Sequence, residues 1–105
     1  MEKQTKLEIE AATFRRIIAH FQKRTDAQNI DLMGLAGFCR NCFSKWYAEE
    51  ALNNGIEIDK QSAREIIYGM PYDDWKNKHQ VGASDEQKQK FEETKPLHAD
   101  ISGHN

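Results

Sequence analysis

A chain of 105 residues with 38% hydrophobic, 30% charged and 10% aromatic residues has the make-up of one folded domain and excludes wholesale disorder. Its 15 basic and 17 acidic residues are scattered and leave a formal charge of -2, which is not the footprint of a nucleic-acid binder. No apolar run approaches the roughly 20 residues that span a bilayer, and the opening MEKQTKLEIE alternates charges where a secretory signal needs a basic and then an apolar stretch, so a cytoplasmic protein is expected.

From Gln4 to about Lys23, Leu7, Ala11, Phe14, Ile17, Ile18 and Phe21 recur at helical spacing, with acids early and bases late as the helix dipole favours. Thr25, Asp26 and Asn29 supply turn chemistry. The next apolar region, Ile30 to Leu52, contains Gly34 and Gly37. It reads as a short helix over Asp31 to Ala36 and a longer one from about Phe38 to Asn53, closed by Gly55 in the left-handed conformation. A single kinked helix is the alternative.

Asp59 and Ser62 compete as N-caps of a helix whose apolar face is Ala63, Ile66, Ile67 and Met70, and Ser62 with Glu65 fits a capping box. Gly69 and Pro71 end it. Pro71 suits the first turn of the following helix, where Asp73 and Asp74 sit at the positive end and Lys76, Lys78 and His79 at the negative end. Ser84 and Gln87 make a further capping box for a last helix to about Thr94, stopped by Pro96. That helix has little apolar surface beyond Phe91 and is expected at the periphery or braced by a partner. The fold expected is an all-α, compact array of five or six short-to-medium helices with no sheet: one domain over residues 1–95 and a loose tail over 96–105.

The chain's only cysteines, Cys39 and Cys42, lie in GFCRNCFSKWY. In a reducing compartment they read as free thiols or metal ligands before a structural bridge. Counting about 100° per residue places Leu35, Cys39, Cys42, Phe43, Trp46 and Glu50 on one face, with Glu49 at its edge. Burial of the thiols as small apolar groups is then the leading explanation, and Arg40 and Lys45 are expected to pair with acids of adjacent helices. Asn41 and Ser44 fall on the other side, as polar surface or helix-contact residues.

A metal reading, with zinc or iron as the ion, needs further ligands from His20, His79, His98 and His104, with Glu49 or Glu50 as an oxygen donor. His98 and His104 have a formal zinc spacing but sit far from the cysteines in a glycine-containing tail; His79, four residues after Trp75, is the better candidate. A redox reading needs a thiol of lowered pKa, which a helix N-terminus beside Arg40 favours. No strand precedes the motif, so thioredoxin context is missing, and Trp46 stands where helical alkylhydroperoxidase-like reductases carry a histidine. Tyr72, Trp75 and Phe91 are candidates for an interaction surface.

The blocks MGLAGFCRNCFSKWY, from Met33 to Tyr47, and YGMPYDDWKNKHQ, from Tyr68 to Gln80, resemble the signature blocks of domain-of-unknown-function family 1244, from the first helix to about Phe91. That resemblance implies a compact all-helical bacterial protein with no assigned activity and brings no catalytic residues. The function expected is a non-enzymatic binding or interaction module, as a homodimer or with another protein partner and without nucleic acid or membrane; the alternative is a metal-binding or thiol-redox protein using Cys39, Cys42, His79 and Glu50.

Overall fold

The computed structural model describes residues 1–98 and is all-helical there: α1 (Lys3–Lys23), α2 (Asn29–Ala36), α3 (Arg40–Asn53), α4 (Lys60–Tyr68), α5 (Tyr72–His79) and α6 (Asp85–Thr94), followed by a short 3-10 turn, Lys95–Leu97. The part of the expected tail beyond residue 98 lies outside the described residues.

Local chemistry sets the breaks. Gly37 adopts φ 81° and closes α2, a conformation that a Cβ would strain. Gly69 does the same for α4 at φ 74°. Two capping expectations change. Asp59 wins at α4, accepting from the Ser62 amide at 2.7 Å, so the helix starts at Lys60 and Ser62 lies inside it instead of capping it. Pro71 is the N-cap of α5 and not a residue of its first turn. Ser84 and Gln87 form the expected reciprocal box at α6.

Helix α4 is the hub: α3 packs along it, and α1 and α5 join it. The core cluster is Ile18, Ile67, Tyr68 and Trp75, contributed by α1, α4 and α5, with Phe14, Phe43, Met70 and Tyr72 packed against it. The centre therefore lies at α4, and the cysteine helix flanks it. Trp75, expected on an interaction surface, is buried at 1% exposure with its ring 5.2 Å from that of Tyr68.

The apolar-poor α6 finds its support within the chain, against α2. Gly34 eases that approach, because a Cβ there would meet Cγ of Lys90 at 3.0 Å. Phe91, half-buried, packs edge-on to His98 at 6.1 Å between ring centres.

Helix α1 is out of proportion to the body that holds it. Twenty-one residues of helix run about 31 Å, yet every residue from 1 to 13 is exposed, Phe14 is the first half-buried one and Ile18 the first buried. The radius of gyration, 15.1 Å, exceeds the roughly 13 Å of a compact chain of this length, as an overhanging helix requires.

Candidate functional site

The thiols occupy the junction between α2 and α3. After the turn at Gly37, Cys39 is extended (φ -138°, ψ -173°) and serves as the N-cap of α3. Its thiol faces the Cys42 amide, while the Cys39 amide donates to Cys42 Sγ at 3.3 Å, a capping box built from sulfur in place of hydroxyl and carboxamide. Both cysteines are buried, at 6% and 3% exposure, and no disulfide joins them. The hydrogen bond to the Cys42 thiol, and then burial, push the Cys39 thiol above its ordinary value of 9.0. A helix N-terminus was expected to act in the other direction. Here the neighbouring sulfur and burial outweigh the amides.

The basic neighbour faces elsewhere. Arg40 is 1% exposed and pairs with no carboxylate among the described residues, contrary to the ion pair expected of it. Its Nη1 donates to the carbonyl oxygen of Ala27 at 2.7 Å and to Asn29 Oδ1 at 3.1 Å; Nη2 donates to the carbonyls of Phe21 at 3.2 Å and Arg24 at 2.8 Å. The guanidinium lies 4.8 Å from the Trp75 ring centre and 5.6 Å from that of Phe21. It is a clamp on carbonyls at and just beyond the C-terminal end of α1, where the helix dipole is negative. Burial lowers its pKa. The neighbouring Arg24 instead forms an exposed fork with Asp26, 2.9 Å at the nearest atoms, of the kind that contributes little to stability.

Around this clamp runs a chain of amides and phenols. Tyr68 Oη donates to Asn41 Oδ1 at 2.7 Å and accepts from Asn29 Nδ2 at 3.0 Å, and burial, as the largest cause, pushes its pKa up. Asn41 Nδ2 reaches Tyr72 Oη at 3.4 Å, so Asn41 is a helix-contact residue; Ser44 is buried and donates to the Asn41 carbonyl. Buried Gln28 ties α5 to α2, donating to the His79 carbonyl at 2.8 Å and accepting from the Val81 amide at 3.0 Å.

The face inferred for the thiols is only partly realised. Leu35 is 81% exposed, because Gly37 ends α2 and the angular count does not carry across the turn. Glu50 is exposed and does not reach toward the thiols; its carbonyl accepts from Asn54 Nδ2, and its side chain borders an open groove. Phe43 and Trp46 do share a face, with rings 5.6 Å apart. His79 lies against Trp75, the rings tilted by 55° with centres 5.7 Å apart, as the spacing of four implied. Tyr72 is half-buried beneath Arg64, whose guanidinium is 4.3 Å from the ring centre. Among the described residues, no group of three His, Cys, Asp or Glu side chains is placed to hold a metal; His104 lies outside them.

Apolar surface is left open on α1. The Phe14 and Tyr47 rings stack at 6.3 Å, and a groove opens on each side of them. One, about 400 Å³, is floored by Phe43 and Trp46 and bordered by Glu50. The other, about 500 Å³, lies among Ala11, Phe14, Ile18, Tyr47 and Ile66 with Arg15 at its rim. Beyond them Leu7 is 50% and Ile9 48% exposed. The sequence marks this stripe as one helical face, with nothing in its spacing to show where its cover ends. No described helix is long and apolar enough to cross a membrane.

A family model described as protein of unknown function (DUF1244) matches residues 27–93, which takes in α2 to α6 and begins after α1. No curated protein matches the chain.

Proposed function

The chain belongs to the DUF1244 family, and from that premise we propose that it is a non-enzymatic interaction module that binds a partner through α1 and the grooves beside it. The overhang carries this reading: an isolated helix of about three turns is marginal in water, yet residues 3–13 are helical and exposed, with Leu7 and Ile9 among them. The state of the Cys39 thiol supports it. Cys39 is buried and its pKa is raised, the opposite of what a nucleophilic or redox thiol needs.

Thiol titration together with elemental analysis tests it. Native protein purified without added metal should contain far less than one equivalent of zinc or iron, and its cysteines should not react with a thiol reagent below about pH 8 until the chain is unfolded. Near-stoichiometric metal, or rapid reaction of the native protein near neutral pH, overturns the reading in favour of thiol or metal chemistry.

A further inference from the structure

We propose that the partner of the α1 overhang is a second copy of this chain, bound with the two α1 helices antiparallel so that Leu7 of each copy enters the groove of the other and Glu8 of each meets Arg15 of the other. The inference rests on the interaction-module reading and names its occupant.

The seam residues of α1 are Leu7, Ala11, Phe14, Ile18 and Phe21, spaced four, three, four and three apart, the repeat by which one helix packs along another. The C-terminal half of this seam is packed by the chain itself and open only at the grooves beside Phe14: Phe14 and Phe21 pack against Phe43, at 6.3 and 5.7 Å, and Ile18 is in the core. The N-terminal half, with Leu7 and Ala11, has nothing over it in the described residues. A parallel pair would bring the two bodies to the same end and leave both free halves together. An antiparallel pair lays each free half beside the other's body.

The side chains fit that register. Ala11 of each copy falls opposite Phe14 of the other, small against large, and Leu7 falls at the groove of about 500 Å³ between Phe14, Tyr47 and Ile66, above Ile18, which stays in the core. The same groove has Arg15 at its rim, and Glu8 follows Leu7 by one residue as Arg15 follows Phe14, so acid and base lie on one flank of the seam and face each other across the pair, twice. The interface is isologous, as a closed dimer requires.

Charge exchange tests it with the full chain. In sedimentation equilibrium at low salt, wild type should form dimers, and Glu8→Arg and Arg15→Glu should each weaken association about tenfold or more, since each turns two attractive pairs into two repulsive ones. Both positions are exposed, so both variants should keep the wild-type circular dichroism. An equimolar mixture of the two variants should associate again as a heterodimer, because both pairs are then restored. Wild type that stays monomeric to high micromolar concentration overturns the pairing, as does a dimer indifferent to both reversals. Either result with silent thiols leaves the interaction-module reading standing; reactive thiols or bound metal strike that reading itself.

Discussion

Replacing Arg40 with methionine keeps much of the side-chain volume between Trp75 and Phe21 while removing the charge and every donor. Four hydrogen bonds are lost, to the carbonyls of Phe21, Arg24 and Ala27 and the amide oxygen of Asn29, although the Arg24 carbonyl keeps the Ala27 amide. At about 1 kcal/mol for each hydrogen bond lost, the cost is about 4 kcal/mol. Burying a guanidinium with no carboxylate beside it is itself unfavourable, and relief of that desolvation returns about 1 kcal/mol. The net loss is about 3 kcal/mol, out of the roughly 5 to 15 kcal/mol that holds a domain of this size. With a urea dependence of about 1 to 1.5 kcal/mol per molar, the unfolding midpoint should fall by about 2 M or more. Arg40→Lys keeps the charge but not the fork that spans four acceptors, and should fall between, at about 2 kcal/mol. A methionine variant within about 0.5 M of wild type, or a lysine variant equal to it, would refute the clamp.

Tyr68→Phe removes the hydroxyl that joins Asn29 to Asn41 and should cost about 1 to 2 kcal/mol, read as a lower urea midpoint with an unchanged slope; no loss would mean that the two amides pair without it. Gln28→Ala breaks two bonds to the end of α5 and the loop after it and should cost about 2 kcal/mol; hydrogen exchange should quicken first in residues 76–81, and a uniform change over the whole chain would contradict a local tie. Alkaline pH acts through groups whose pKa is raised on folding. Cys39 and Tyr68 lie above their ordinary values of 9.0 and 10.0. Well below those values both states keep their protons and the groups contribute nothing to pH dependence. As pH rises past about 9 the unfolded chain sheds protons that the folded chain retains, so stability falls. Urea midpoints measured from about pH 8 to 10.5 should decline, less steeply for Cys39→Ala, and a flat profile would contradict the shifts.

The helices were legible because their ends carry local signals. Gly37, Gly69, and the pair Ser84 and Gln87 act within a few residues of themselves, and the structure honours them. Burial of Cys39 and Cys42 was legible too, since Phe43 and Trp46 mark that side of α3. Arg40 was not. Its partners are mostly backbone carbonyls of residues 21 to 27, and a carbonyl has no sequence signature, so an arginine bound to them looks like any arginine awaiting a carboxylate. The position of Leu35 failed for a related reason: the count of angle per residue assumes a continuous helix, and one left-handed glycine resets it. Trp75 and α6 show the same limit from the other side. An aromatic stripe and a polar helix suggested contact with a partner, yet α4 covers the first, and α2, through the absent Cβ of Gly34, accepts the second. The surface left over is the first two to three turns of α1, whose apolar periodicity is the same inside and outside the core.

Amide hydrogen exchange across residues 3–13 measures most directly whether that helix has a partner. An unsupported segment of this length frays and exchanges freely. If α1 pairs with a second copy, protection of these amides should rise with protein concentration and be lost in Arg15→Glu; fast exchange at every concentration, equal in wild type and variant, would contradict the account.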